Sequence, residues 1–317
     1  MSKLISELSS ATGLSKFDIQ LILSNAPKRY KFYTIPKRNG GKRLIAQPSF
    51  ELKVIQRAFV SVILDELPVH EAATAYEIGT SIKLNAERHV QNGPILKFDF
   101  KNFFPSITPK DWKKYCEINN ILSDSDVYLS SKLLFHYSKF ERRTCLAIGA
   151  PSSPKLSNVL MYDFDCRISE RVKSDKVTYS RYADDLTFSA LRTGFLVNVR
   201  SNLNKVIKEI ECPQLTINEG KTALITTKYR RQVTGLTLSD QKRVTLGRSR
   251  RRLLRSMVHR FYCGQLAAED IPKLHGWLSF ANDVDKSIVE GFARKFGQDI
   301  IDRVRDAANK ALPEAKP

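Results

Sequence analysis

Long apolar segments are absent from this sequence. No hydrophobic run reaches the roughly 18–20 residues that a membrane-spanning helix needs, and the opening MSKLISELSSATG lacks the apolar stretch of a secretion signal. The five cysteines are isolated and never spaced as CxxC, which favours neither a disulfide framework nor a zinc site. We therefore expect a cytoplasmic protein with reduced thiols and no membrane partner.

Acidic residues are also scarce. The chain of 317 residues has 33 Asp and Glu against 52 Lys and Arg, a formal net charge of +19. This excess indicates a polyanionic partner, because cationic side chains release condensed counterions when they bind nucleic acid. The hydrophobic fraction of 42% suffices for a buried core, and the length predicts one elaborated domain or two or three subdomains.

Against this basic background, three aspartates stand in apolar or β-rich segments. Asp99 lies in the run ILKFDF, and Asp184 and Asp185 join two β-rich runs within residues 176–190. A buried carboxylate is costly and adjacent carboxylates raise each other's pKa, and Mg²⁺, which prefers carboxylate and phosphate oxygens, removes both penalties. From spacing alone, the commoner role of an Asp-Asp pair is to hydrogen-bond its own turn.

Two segments concentrate positive charge. Residues 36–43, PKRNGGKR, predict the basic tip of a hairpin. Residues 248–260, RSRRRLLRSMVHR, predict a helix that buries Leu253, Leu254, Met257 and Val258 and directs its arginines outward to backbone phosphates. For both segments the alternative is a solvated charged surface.

Several sequence blocks resemble one enzyme family in composition and in order. Tyr182-Ala183-Asp184-Asp185 is similar to the YxDD box of reverse transcriptases, in the strand–turn–strand setting that this box requires. The other matching blocks are residues 43–53 in the first finger motif, 98–107 in the palm strand, 149–154 before the template-contacting helix, and 218–222 in the later palm motif.

Two more blocks narrow the resemblance. Residues 85–89, NAERH, match the NAxxH element of bacterial retron reverse transcriptases, and residues 233–235 match their VTG element. Taken alone, NAxxH could be a helix surface with a packed His89, and VTG a turn. In this order and company, the chain is identified as a member of the bacterial retron reverse transcriptases.

The resemblance implies an α+β fold of the right-hand polymerase type, with fingers, a palm built on an antiparallel sheet, and a helical thumb. The expected boundaries are an N-terminal helical extension at 1–26, fingers at 27–92 and 113–150, palm at 93–112 and 151–238, and thumb at 239–317.

The resemblance also implies site residues. Asp99, Asp184 and Asp185 are the expected catalytic acids and, with the backbone carbonyl of Phe100, hold two Mg²⁺ ions. Since neighbouring strand residues face opposite ways, ligation by Asp185 is expected to be partial. The expected nucleotide-binding residues are Lys42, Arg43, Phe104 and Lys221. The expected RNA-binding residues are Asn85, His89, Val233, Thr234, Gly235, Arg248, Arg250, Arg251, Arg252 and Arg255.

Individual roles follow from the matched positions. Phe104 stands where the family places the bulky residue that excludes a ribose 2′-hydroxyl, although core packing is its alternative. Lys42 and Arg43 are expected to hold the triphosphate, and for Lys42 a solvated charge is nearly as good an explanation. Lys221 resembles the lysine that protonates pyrophosphate. Ile148 departs from the glutamine found in many relatives, so the hydrogen bond of that glutamine to the nucleotide is in doubt here.

The expected activity is RNA-directed DNA synthesis from deoxynucleoside triphosphates on a structured noncoding RNA that is both template and primer. Retron resemblance adds self-priming from a guanosine 2′-hydroxyl, a branched RNA–DNA product (msDNA), and antiphage defence with an associated effector protein. Two alternatives remain open: a group II intron-like or abortive-infection reverse transcriptase, and a non-catalytic scaffold that packages RNA.

Overall fold

The computed structural model describes residues 2–37 and 40–311 and has an α+β architecture. Arg38 and Asn39, at the tip of the expected basic hairpin, and residues 312–317 of the expected thumb lie outside the described residues. The strands are β1 Tyr30–Pro36, β2 Lys42–Pro48, β3 Ile95–Asp99, β4 Phe135–Ser138, β5 Arg143–Leu146, β6 Thr178–Tyr182, β7 Asp185–Ser189, β8 Ala223–Ile225, β9 Gln232–Val233, β10 Leu236–Leu238 and β11 Val244–Thr245.

Helices lie before, between and after these strands. They are α1 Lys3–Thr12, α2 Lys16–Asn25, α3 Phe50–Val62, α4 Ile82–Glu87, α5 Phe103–Ser106, α6 Pro109–Asn119, α7 Asp124–Leu134, α8 Ser153–Leu160, α9 Tyr162–Lys173, α10 Val199–Glu209, α11 Arg248–Tyr262, α12 Ile271–Val284, α13 Lys286–Phe296 and α14 Ile300–Ala311. Among the described residues, no helix combines the length and apolar character needed to span a bilayer.

The chain divides into two compact units. The first contains the residues up to Ser81 and Asn92–Ile225, and the second contains Ile82–Gln91 and the chain from Thr226 onward. The expected fingers segment 27–92 therefore includes ten residues that pack within the second unit.

The first unit is organised around a four-stranded antiparallel sheet with the order β6-β7-β3-β8. β3 lies between two partners, and four of its five residues are buried, as expected for a central strand covered on both faces. Helix α9 packs beside β6 and buries Phe164, Ile168 and Val172, which recur at the four-residue spacing of one helix face.

Two hairpins accompany this sheet. β1 pairs with β2 in the predicted basic hairpin, and β4 pairs with β5. Helix α3 ends at Val62, and a 3₁₀ turn, Leu64–Glu66, follows it.

The second unit contains a three-stranded sheet, β11-β10-β9, against which α4 packs, and the helices α11–α14. α11 confirms the arginine-rich helix. It buries Leu254, Met257 and Val258, whereas Leu253 is exposed and does not belong to the apolar face that the sequence predicted.

Candidate active site

Two neighbouring strands bring the three predicted aspartates together. Asp99 is the last residue of β3, and Asp185 is the first residue of β7 and pairs with it directly. Asp184 lies in the two-residue turn between β6 and β7. Ala183, the first residue of that turn, has a φ of +56°, as the tight turns of two-residue hairpins require.

The side chains converge as well as the backbones. Ligand oxygens of Asp99, Asp184 and Asp185 all lie within 4.8 Å of one another. Asp99 is buried, Asp184 is half-buried and Asp185 is exposed. A backbone hydrogen bond also joins the end of β3 to the turn, since the N–H of Phe100 donates to the carbonyl oxygen of Asp184 at 3.2 Å.

Asp99 is held by the segment that precedes β8. The amine of Lys221 donates to Asp99 Oδ2 at 2.7 Å, and the side-chain amide of Asn218 donates to Oδ1 at 3.4 Å. The backbone N–H of Asn218 also donates to the carbonyl oxygen of Asp99 at 2.7 Å. Desolvation lowers the pKa of Lys221, but the hydrogen bond and charge of Asp99 outweigh it and raise that pKa overall. Lys221 is therefore protonated at neutral pH.

Burial and mutual repulsion raise the pKa of two of the three carboxylates. Desolvation and the charge of Asp99 raise the pKa of Asp184. Desolvation and the charge of Asp184 raise the pKa of Asp185 to about 6, against the opposing effect of Lys97. Hard carboxylate oxygens at this spacing fit a divalent cation such as Mg²⁺, which would relieve both effects.

A buried ion pair that sequence reasoning missed supports the turn between β6 and β7. Arg181 and Asp165 are both fully buried, and the guanidinium donates to the carboxylate at 2.6 and 2.9 Å. The same guanidinium donates to Asn158 Oδ1 at 3.0 Å and to the carbonyl oxygen of Ala183 at 3.2 Å. Arg181 thus fixes the backbone next to Asp184. An arginine in a β-rich run gives no sequence signal of burial.

A cavity of about 420 Å³, here called the Phe104 cavity, lies within the first unit. Its lining includes Lys53, Arg57, Tyr76, Phe104, Ile148 and Gly149. Desolvation and the charge of Asp184 raise the pKa of Tyr76, and Arg43 opposes them. Tyr76 therefore lies within electrostatic reach of Asp184.

One wall of this cavity is joined to the basic hairpin. The N–H of Ala46 in β2 donates to the carbonyl oxygen of Ile148 at 2.9 Å. A Cβ on Gly149, whose φ is +124°, would lie 3.0 Å from Ile45 Cγ2 and 3.1 Å from the oxygen of Ala46. A glycine at 149 is what permits this close approach.

The predicted triphosphate-binding residues differ in their relation to the centre. Lys42 and Arg43 are both exposed at the start of β2. Arg43 lowers the pKa of Asp184, which places its charge near the carboxylates. For Lys42 the structure gives exposure alone.

The NAxxH and VTG blocks meet in the second unit. Helix α4 packs against β9, β10 and β11, and the hydroxyl of Thr234 donates to the carbonyl oxygen of Ile82 at 2.8 Å. The side chains of Asn85, His89 and Val233 are buried, so they do not form an RNA-facing surface in this structure.

The arginines of α11 fall into two groups. Arg250 donates to the carbonyl oxygen of Gly235 at 2.8 Å and lies over the ring of Trp277, so it connects the VTG turn to α11 and α12. The other predicted RNA-binding arginines of this helix are Arg248, Arg251, Arg252 and Arg255, and all four are exposed.

Comparisons with known proteins show the family of the chain. A family model described as reverse transcriptase (RNA-dependent DNA polymerase) matches residues 35–238. The chain is 36% identical over 293 residues to the retron Ec83 reverse transcriptase of Escherichia coli, covering 91% of this chain and 93% of that protein. It is 33% identical over 308 residues to the retron Ec86 reverse transcriptase of Escherichia coli, covering 94% and 92%.

Solved structures are more distant. A telomerase from Candida albicans in complex with a fragment of telomeric RNA matches 89% of this chain and 60% of its own, at 14% identity and a TM-score of 0.48. This similarity is too low to add to the assignment, which depends on the family match and the relatives. Together with the acidic centre at the β6–β7 turn, they show that the chain belongs to the retron reverse transcriptases, a group of RNA-directed DNA polymerases.

Proposed function

We propose that this enzyme copies a structured noncoding RNA into DNA by two-metal nucleotidyl transfer. In this proposal it primes synthesis from a 2′-hydroxyl of the same RNA, and the branched msDNA product serves antiphage defence with an associated effector protein. The convergence of Asp99, Asp184 and Asp185 within 4.8 Å is the observation that carries the catalytic part. Similarity to retron enzymes supports the remainder.

The metal site in this proposal consists of the three carboxylates and the carbonyl oxygen of Phe100. Two Mg²⁺ ions bound there would activate the attacking hydroxyl and stabilise the leaving pyrophosphate. Lys221 contributes a protonated amine 2.7 Å from Asp99, close enough to the centre to deliver a proton to the leaving group. Arg181 holds the backbone of the turn through its bond to Ala183.

Selection of deoxynucleoside triphosphates is assigned to residues around the Phe104 cavity. Arg43, with Lys42, supplies positive charge for the triphosphate. The ring of Phe104 lines the cavity and is half-buried, which suits a group that excludes a ribose 2′-hydroxyl. Ile148 lines the same cavity, and its side chain cannot donate the hydrogen bond that a glutamine there would make.

RNA binding is assigned to the second unit. The exposed arginines of α11 supply phosphate contacts. Asn85, His89 and Val233 act indirectly by shaping the packing of α4 on β9–β11, and Thr234 and Gly235 form the turn beside that packing. For subdomains we propose the extension at 1–26, fingers at 27–92 and 113–150, palm at 93–112 and 151–238, and thumb at 239–317.

A comparison of the wild type with Asp184→Asn tests the proposal. We expect the variant to lose DNA synthesis with Mg²⁺ and deoxynucleoside triphosphates while it retains RNA binding, because the amide removes a ligand charge without removing the basic surface. Asp163→Asn is the matched control, since Asp163 is an exposed aspartate paired with Arg167 on α9. Retained synthesis by Asp184→Asn would exclude the proposed centre and favour the RNA-packaging scaffold.

Sequencing of the nucleic acid that copurifies with the wild type tests the retron part. A single DNA species complementary to one structured RNA and joined to it through a 2′-linkage is the expected result. DNA with no match to any structured RNA would favour an abortive-infection enzyme, and linear unbranched copies would favour an intron-like one.

A further inference from the structure

Tyr76 has a backbone conformation that bulky side chains rarely adopt. Its φ is +68°, in the left-handed region. Such a conformation persists only where the surrounding structure imposes it, and it is concentrated at functional sites.

Glu77, which follows Tyr76, is hydrogen-bonded to helix α8. The carboxylate of Glu77 accepts hydrogen bonds from Lys155 at 2.9 Å and from Asn158 at 2.8 Å. The same amide of Asn158 donates to the carbonyl oxygen of Ala75 at 2.8 Å. These bonds hold the backbone on both sides of Tyr76.

The segment that precedes Tyr76 is fixed to β6. The N–H and hydroxyl of Thr74 donate to the carbonyl oxygen of Arg181 at 2.8 and 3.1 Å, and the N–H of Arg181 donates to the oxygen of Ala72 at 2.7 Å. Residues 72–75 are buried, but the side chain of Tyr76 is 48% exposed. An immobilised backbone therefore presents an exposed ring.

The ring lines the Phe104 cavity together with two cations. Lys53 and Arg57 are four residues apart on α3, so they share one face of that helix and can both contact a phosphodiester. They are separate from Lys42 and Arg43 of the hairpin, to which the incoming triphosphate is assigned. The volume of about 420 Å³ lies within the range of roughly 300–1,000 Å³ typical of ligand sites.

We propose that Tyr76 is a specificity-determining residue that stacks on the base of the templating RNA nucleotide, while Lys53 and Arg57 hold the phosphate of that nucleotide. The proposal rests on the polymerase function proposed above and adds to it the residues that hold the template at the point of pairing. A base confined between a ring and a cationic helix face has one orientation available for pairing. Aromatic stacking is suited to this task because every base has a stacking surface.

Single-nucleotide incorporation on an RNA template with a DNA primer tests the proposal. We expect Tyr76→Ala to raise KM for the matched deoxynucleotide and to increase mismatch incorporation, each by about 5- to 150-fold, the range for loss of one stacked aromatic. The value of kcat at saturation should change much less. Tyr76→Phe keeps the ring and should behave as the wild type.

Two further variants separate stacking from backbone effects. Tyr76→Gly relieves the left-handed conformation but removes the ring, so we expect the same defect as in Tyr76→Ala; restored fidelity in the glycine variant would overturn the proposal. Ile78→Ala is the matched control, because Ile78 is fully exposed on the same segment and does not line the cavity.

Three results would count against the assignment. Wild-type KM and fidelity in Tyr76→Ala would exclude a template contact, and an equal defect in Tyr76→Phe would show that the hydroxyl rather than the stacking ring acts. An equal defect in Ile78→Ala would show that the effect comes from a disturbed loop and not from loss of the Tyr76 ring. An inactive wild type would instead refute the polymerase function itself, so the two failures are distinguishable.

Discussion

Asp99 and Asp185 are directly paired across β3 and β7, so their side chains emerge on the same face of the sheet. Asp184 adds a third carboxylate from the turn, within 4.8 Å of both. This pairing puts the carboxylates close enough together to bind a divalent cation. Without a cation, the carboxylates repel one another. We therefore expect the stability of the centre to depend on both pH and the proposed Mg²⁺.

Stabilisation of the protein by Mg²⁺ should weaken as the pH falls through about 6. The pKa of Asp185 is raised from 3.8 to about 6, so protons compete with the metal below that value. Without metal, the folded state binds a proton more tightly than the unfolded state between about pH 4 and 6, so the free energy of unfolding decreases as the pH rises through this window. Thermal melts with and without Mg²⁺ at pH 5 to 8 measure both effects.

The variant Asp185→Asn provides the comparison for this pH dependence. Since an amide does not titrate, the metal-free protein should lose part of its pH dependence between about 4 and 6 and should gain less stability from Mg²⁺ at about pH 8. An identical Mg²⁺ shift at the acidic and basic ends of the series in the wild type would contradict the prediction.

Sugar discrimination should depend on Phe104. Phe104→Ala removes the bulk that excludes a ribose 2′-hydroxyl, and we expect kcat/KM for ribonucleotides relative to deoxynucleotides to rise by about 10- to 200-fold, the range for steric discrimination in an apolar pocket. Phe104→Tyr keeps the bulk and serves as the control. Unchanged selectivity in the alanine variant would leave core packing as the role of Phe104.

Removing one charged partner of the buried Arg181–Asp165 pair should strongly lower the free energy of unfolding. Arg181→Met leaves the carboxylate of Asp165 buried without its cation, and we expect a loss of about 3–5 kcal/mol in the free energy of unfolding. The double variant Arg181→Met with Asp165→Leu removes both charges and should recover much of that loss. Urea denaturation followed by circular dichroism checks the prediction; a loss below about 1 kcal/mol for the single variant would contradict it.

The salt dependence of RNA binding should depend on α11. Changing Arg251, Arg252 and Arg255 to glutamine should reduce the slope of log K against log salt by about 0.7–0.9 for each phosphate that the helix no longer neutralises. Lys3, Lys16 and Lys173 are exposed on α1, α2 and α9, and their replacement by glutamine is the control for net charge. Equal slopes for the two triple variants would show that charge alone, and not this helix, governs binding.

The three aspartates and the hairpin that carries two of them could be predicted from the sequence because their signals are local. Acids in apolar strands of a basic chain are conspicuous, and the β6–β7 pairing confirms the predicted hairpin. The four-stranded order β6-β7-β3-β8 could not be read in the same way, since it depends on long-range pairing of β3 with both β7 and β8. The antiparallel sheet of the palm was predicted from the family resemblance and not from the periodicity of the sequence.

The burial of several polar residues could not be predicted from the sequence. Arg181 and Asp165 carry charges that ordinarily stay in water, and their burial is explained by their mutual contact together with the hydrogen bonds of Arg181 to Asn158 and Ala183. Asn85 and His89 are polar residues of the NAxxH block, and their burial follows from the packing of α4 on β9–β11. Tyr76 was not predicted either, because a left-handed φ at a tyrosine has no sequence signature.

The hydrogen bond between Ala46 and Ile148 has a mechanical consequence. That backbone bond, and the tight approach of Gly149 to Ile45 and Ala46, tie the basic hairpin to the cavity wall, so we expect the two to move together. If the proposed triphosphate draws Arg43 towards the carboxylates, we expect Ile148 to shift with it. We therefore expect substrate binding by the hairpin to change the shape of the Phe104 cavity, and a bulkier residue at 149 to weaken this coupling.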